Sequence, residues 1–328
     1  MSSTDPLQPT LFEASAPAPG PIGRRHNILV GTCSWTDPSL IKSKAFYPRG
    51  CGSSEQRLAY YASQFPLVEV DSSFFAMPDP AVARLWAART PPGFAFNVKA
   101  FRLFTGHQTP PQVFPPDIQP LLPPLAAGKK NYYYADVPEP IRDELWRRFL
   151  AALAPLQQAG KLRAAHFQFA PWVTSARPWR EHVELCVERM AGQLLAVEFR
   201  NETWFGDGRA GRTLDWERGL GVAHVIVDEP QGVGNYAHGV WEVTEPRLAV
   251  VRLHGRNERT WNAKGLRASS ERFDYEYGDA EIDELAGKVG TLVDRAFELH
   301  VLVNVNFEDQ GVRAARRLVE RLKAPSPP

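Results

Sequence analysis

From residue 27 onward the chain alternates between short apolar runs and longer stretches in which apolar residues recur at helical spacing. The runs are rich in Val, Phe and Leu and lie at about 27–33, 67–71, 94–99, 164–169, 194–200, 223–228, 248–254 and 299–306. Their length and composition predict eight strands. Helices are predicted between them at about 54–65, 80–90, 141–159, 178–191, 213–219, 280–298 and 311–323. Leu145, Phe149 and Leu153 mark one apolar helix face, and Leu285, Val289 and Leu292 another. Asp79 as N-cap and Pro80 at the first helical position give the second helix a defined start.

Strands that alternate with helices predict one parallel sheet. It can stay open and doubly wound, or close into a (β/α)8 TIM barrel. The count of eight favours the closed barrel. No Gly-x-Gly-x-x-Gly follows the first strand, which argues against a dinucleotide-binding sheet. Two connections are irregular: a long Pro-rich insertion after strand 3, over 105–140, and a stretch at 229–247 without a helical pattern. Residues 1–25 are rich in Pro, Ala and Ser, lack periodicity and contain no continuous apolar segment of the secretory kind. They read as a disordered tail, with residues 26–328 as a single TIM-barrel domain.

The strand ends carry a second pattern. Side chains two apart share one face of a strand. Polar pairs occur in this way at Glu69 and Asp71, Asn97 and Lys99, His166 and Gln168, Glu198 and Arg200, Arg252 and His254, and Asn304 and Asn306, with Asp228 alone closing strand 6. Every pair lies at the C-terminal end of its strand, where barrel enzymes place their sites. An unpaired charge inside a barrel costs several kcal/mol, so the pairs form a mutually satisfied network, a ligand site, or both.

Composition adds little. With 44% hydrophobic and 23% charged residues the chain is ordinary globular material, and a net charge of +1 neither announces nor excludes a nucleic-acid partner. The apolar runs are too short for a spanning helix. Cys33, Cys51 and Cys186 show no C-x-x-C or zinc-like spacing and read as reduced thiols of a cytoplasmic protein.

The blocks "GTCSW" with "FYP" downstream, "VEVDSSFFAMP", "FAFNVKAF", "FQFAPW", "VEFRNETW", "VRLHGR" and "NVNFEDQG" occur in the order found in the YecE-like family, the domain of unknown function 72. The resemblance covers about residues 27–323 and implies a (β/α)8 barrel, loosely associated with sugar isomerases, without supplying a reaction. The chain departs from the family's pattern at Asp71 (usually Asn), Phe75 (usually Tyr), Phe307 (usually a second Asn) and Gly106, an added residue. Asp71 adds a carboxylate to the mouth, while Phe75 and Phe307 remove polar atoms.

Converging Lys99, Arg200 and Arg252, with Arg256 just beyond, suit an anion: a phosphorylated sugar, a nucleotide or a nucleic-acid backbone. The alternative is that they neutralise Glu69, Asp71, Glu198 and Asp228. Glu198, Asp71, Asp228 and His254 are the candidates for proton transfer. Gln168, Asn201, Asn306, Glu69, Trp35 and Trp204 are candidates for holding the substrate, with Trp172 also just beyond a strand end. Gly255 would let a ligand approach the backbone. Glu69, Glu198, Asp228 and His254 could hold Mg²⁺ or Mn²⁺, but the neighbouring arginines argue against it, and no cofactor is required. "QPTLF" in the tail resembles the peptide by which bacterial repair and replication proteins dock on the sliding clamp, with Gln8, Leu11 and Phe12 as the docking residues. Three functions remain open: an enzyme on an anionic ligand, a clamp-recruited nucleic-acid-processing protein, and a non-catalytic anion-binding module.

Overall fold

The eight apolar runs form eight parallel strands: β1 (Ile28–Thr32), β2 (Leu67–Val70), β3 (Ala95–Lys99), β4 (Leu162–Gln168), β5 (Leu195–Glu198), β6 (Ala223–Asp228), β7 (Leu248–Leu253) and β8 (Glu298–Val303). In the computed structural model, which describes residues 27–230, 239–261 and 273–323, each strand pairs with the next and β8 pairs with β1, closing the barrel. Gln8, Leu11 and Phe12 lie outside the described residues. The helices are α1 (Pro38–Ser43), α2 (Ser54–Gln64), α3 (Pro80–Ala88), α4 (Glu139–Gln158), α5 (Arg177–Arg189), α6 (Ala210–Leu220), α7 (Glu258–Trp261), α8 (Asp279–Gly290) and α9 (Gln310–Lys323). Asp79 caps α3 by accepting from Ala81 N, with Pro80 at its start, as predicted. No helix is long and apolar enough to cross a membrane among the described residues.

Two apolar layers hold the barrel. Val68, Val70, Phe96, Val98, Phe167, Val197, Ile226 and Val251 face outward and pack in one cluster with the helices. Leu67, Ala95, Ala164, Ala196, Ala223, Val225, Val227, Leu248, Val250 and Leu302 form a separate inner cluster. Four alanines make this inner plug small-volumed, so it fills the barrel floor and leaves the strand ends above to polar residues. Gly31 on β1 is required by close approach: a Cβ there would sit 2.0 Å from Leu67 O, where β1 and β2 pair.

The insertion after β3 runs from residue 100 to 138 and contains three short 3₁₀ turns and one bridge, Thr109 to Tyr132. Its seven prolines, from Pro110 to Pro124, with Pro138 at its end, remove backbone donors and bar a long helix. The helix expected over 280–298 ends at Gly290. Thr291 N bonds back to Lys288 O, and Phe297 N then donates to Pro246 O as the chain enters β8. The short α1 carries no long-range periodicity and was not predicted; Asp37, whose carboxylate accepts from Ser39 N, starts it.

Candidate functional site at the C-terminal mouth of the barrel

Because Leu67, Ala95, Ala164, Ala196 and Val250 face inward, their neighbours two residues on do so too. This carries Glu69, Asn97, His166, Glu198 and Arg252 into the barrel above the alanine floor, all of them buried. Arg252 is the hub. Its Nη1 donates to Glu198 Oε2 at 2.6 Å and its Nη2 to Glu69 Oε1 at 2.7 Å. His166 bridges the same two carboxylates, with Nδ1 2.9 Å from Glu69 and Nε2 3.3 Å from Glu198. These two contacts are at ion-pair distance without hydrogen-bond alignment. Gln168 Nε2 donates to the other Glu198 oxygen. His254 Nε2 lies 3.3 Å from that oxygen, and Asn304 Nδ2 lies 2.8 Å from His254 Nδ1. With the amide donating, His254 Nδ1 accepts, and its Nε2 lies between Glu198 Oε1 and Arg252 Nη1, 3.3 Å from each.

Burial alone would raise both glutamates. Arg252 and His166 outweigh it at Glu69, and Arg252 leads the groups that outweigh it at Glu198, so both carboxylates are held below their ordinary range. Burial lowers His254 to about 4, against the pull of Glu198, so its imidazole is neutral at neutral pH. Burial, reinforced by Glu69, raises the Cys33 thiol well above its usual value. Cys33 is therefore a buried thiol 3.6 Å from Arg252 Nη2 and not a thiolate nucleophile.

A second group forms the rim. Lys99 pairs with Asp71 at 3.0 Å and stands 5.1 Å from the centre of the Phe74 ring. Arg102, the first charged residue of the loop after β3, lies 5.2 Å from Phe74 and 5.9 Å from Phe75. No carboxylate lies within ion-pair distance of Arg102 among the described residues, and its Nε is buried without a hydrogen-bond partner there. Arg200 sits 5.5 Å from the Trp261 ring. His107 accepts or donates at 2.9 Å with Thr105 Oγ1. Burial, joined by the charges of Lys99, Arg200 and Arg102, lowers it to about 3. Glu229, just past β6, is buried, and burial outweighs the pull of Arg200 to push its carboxyl up to about 8.

Arg102, His107 and Glu229 escaped the sequence reading. Strand 6 ends in two adjacent acids, Asp228 and Glu229, and only the inward packing of Val225 and Val227 shows that Glu229 shares their face. Asp228 belongs to the other face. It accepts from Arg256 Nη2 at 2.7 Å and from Tyr277 Oη at 2.8 Å, and Tyr277 in turn accepts from Gly255 N. Asp228 is thus tied into a structural ion pair, and Gly255, at φ +80°, makes room for Tyr275 rather than for a ligand: a Cβ there would meet Tyr275 Cβ at 2.7 Å.

Other expected substrate-holding residues also face elsewhere. Trp204 is fully buried, stacked on Phe199 at 3.8 Å, and donates to Val173 O. Trp35 packs edge-on against Trp86. Asn201 accepts from Thr203 N and donates to Pro171 O, which shapes the loop after β5. Asn306 reaches Asp37 at 3.4 Å beside a small cavity lined by Cys33 and Ser34. Trp172, by contrast, stands at the rim, with its ring 5.9 Å from His107. Among the described residues no group of three or more His, Cys, Asp and Glu side chains is arranged to hold a metal ion. Arg252 already occupies one oxygen of each buried glutamate.

Fold and site together define a (β/α)8 barrel with a buried ionic network beneath a cationic mouth. The family described as "Protein of unknown function DUF72" matches residues 29–328, and the chain belongs to that family. It is 27% identical over 297 residues to the UPF0759 protein YunF of Bacillus subtilis (strain 168), covering 90% of this chain and 94% of that protein. Among solved structures it is similar to a DUF72 family protein from Thermotoga maritima MSB8, with a TM-score of 0.71 and 26% identity over 91% of this chain and 100% of the other. A DUF72 family protein from Enterococcus faecalis V583 shares the fold, with a TM-score of 0.73 and 24% identity over 92% and 97% of the two chains. The resemblance to the YecE-like family read from the sequence is to this same family.

Proposed function

We propose that the protein is an enzyme that binds a small anionic substrate, a phosphorylated sugar or a nucleotide, at the barrel mouth and moves a proton on it. The observation that carries this reading is the charge balance of the rim. Lys99 and Arg102 stand beside one carboxylate, Asp71, while burial raises the Glu229 carboxyl to about 8. Two cations beside one carboxylate leave positive charge for a ligand to compensate, and Arg102 has no acid within reach among the described residues. Glu229 is the proton donor and Asp71 the acceptor. A carboxyl kept near neutrality by burial is suited to general acid work. Glu198 and His254, expected from sequence to do this chemistry, spend their polar atoms on Arg252, Gln168 and Asn304 and act as positioning residues for the strand ends.

The reading is tested by thermal melting against phosphosugars, nucleotides and inorganic phosphate, followed by a turnover screen with whichever stabilises. Anions should raise Tm, and Lys99→Ala with Arg102→Ala should abolish the rise. Glu229→Gln and Asp71→Asn should keep binding and lose at least a hundredfold in turnover. If no anion stabilises the protein, the reading fails. Stabilisation without turnover of any ligand would identify a non-catalytic anion-binding module.

A further inference from the structure

The rim around the loop after β3 combines cations with aromatic faces, which a receptor for a bare anion does not need. Phe75 and Trp172 are 54% and 44% exposed, although both are large apolar rings. Phe75 packs edge-on against Phe74 at 5.0 Å, Phe74 against His107 at 4.9 Å, and His107 against Trp172 at 5.9 Å, so the rings form one continuous row. Lys99 and Arg102 flank that row through Phe74. The Trp172 ring is fixed in orientation, because its Nε1 donates to Gly106 O at 3.0 Å. That hydrogen bond also removes its only polar atom from ligand recognition.

We propose that this row is a subsite for a nucleoside-phosphate unit: the phosphate is held by Lys99 and Arg102, and the base stacks on Phe75 or Trp172. The proposal rests on the reading that the mouth takes an anion, and narrows it to one chemical class. A phosphosugar laid on this row would turn its hydroxyls toward Phe75, which has no hydrogen-bonding atom, and toward Trp172, whose donor is already used. A base loses nothing there, since every base presents a π face, and cations beside aromatic rings are the arrangement that follows a nucleotide backbone. The unit can come from a free nucleotide or from a single strand; both present the same phosphate and base.

Calorimetric titration of the full chain with adenosine 5′-monophosphate, ribose 5-phosphate, adenosine and a short oligothymidylate tests this. The mononucleotide should bind about tenfold or more tighter than ribose 5-phosphate, as one stacked base predicts. Phe75→Ala with Trp172→Ala, both at exposed positions, should reduce the nucleotide to the level of the sugar phosphate. Arg102→Ala should weaken both phosphates by a similar factor and leave adenosine unchanged. Tighter binding of the oligothymidylate than of the mononucleotide would identify a single strand as the source, and the reverse a free nucleotide; either supports the subsite. Equal binding of ribose 5-phosphate and the mononucleotide, or a ratio untouched by the double aromatic variant, overturns the subsite and leaves the anion reading standing. Phosphate binding insensitive to Arg102→Ala and Lys99→Ala, or no binding of any probe, overturns both.

Discussion

Arg252 pairs with two fully buried carboxylates at once, and no other lysine or arginine of the described residues lies within 4 Å of both. Deleting one partner of such a cluster leaves uncompensated charge in a low dielectric, which costs about 3–5 kcal/mol. Arg252→Met should therefore lower unfolding free energy by about that amount in urea melts. Arg252→Lys should recover only part of it, because an ammonium is a single point donor where the guanidinium forks to Glu69 and Glu198 together. A loss below about 1 kcal/mol for Arg252→Met would show that the glutamates relax by taking up protons or water, and that the cluster is not an ionic unit. The same geometry explains why Glu198 and Arg200, two apart on one strand face, do not pair with each other: Glu198 turns down to Arg252, while Arg200 rises to Trp261.

At the scale of elements, the eight strands and their order were legible because each run repeats a length and an alternation that few other structures tolerate. The polar pairs were legible for the same reason, since Glu69, Asn97, His166, Glu198 and Arg252 do share the inner face. Strand 6 was not, because its alternation is masked by Ile226 and Val227 and its end offers acids of both parities. The rim was illegible for a different reason: Arg102 and His107 belong to an irregular loop whose path depends on tertiary contacts such as Arg102 N to Phe74 O and His107 N to Arg102 O. Buried Trp204 and exposed Trp172 look alike in sequence, and only packing separates them. Gly31 shows how tightly one element constrains the next. With Leu67 O 2.0 Å from where a Cβ would be, Gly31→Ala must push β1 and β2 apart at the seam where they share two paired positions. The expected result is a loss of at least about 3 kcal/mol or failure to accumulate folded protein. A variant with wild-type Tm would mean that the seam is compliant and that closure through β8 suffices.

For the molecule as a whole, buried titrating groups pull stability in opposite directions with pH. His254 and His107 are lowered from 6.5 to about 4 and about 3, and His182 is lowered as well. The unfolded chain therefore binds protons that the fold refuses as pH drops below about 6.5, and stability is lost with acid. Glu69 and Glu198, held below their ordinary value of 4.5, steepen that loss at lower pH. Glu229 acts with the opposite sign. Its folded value near 8 lies above the unfolded 4.5, so between those limits the fold holds a proton that the unfolded chain has released. Its contribution is complete below about 4.5 and is lost as pH rises toward 8, at up to about 1.4 kcal/mol per pH unit. Above about 6.5 the histidines are neutral in both states and no longer offset it, so unfolding free energy should peak near pH 6.5 and decline toward 8. Glu229→Gln removes the titrating group while keeping a neutral side chain of the same shape. Urea melts of this variant from pH 4 to 8 should show a steeper rise between about 4.5 and 6.5 and a flat curve between 6.5 and 8. A decline that persists undiminished in Glu229→Gln would mean that Glu229 is ionised in the folded protein at neutral pH, and with that the proton donor assigned to the mouth would be lost.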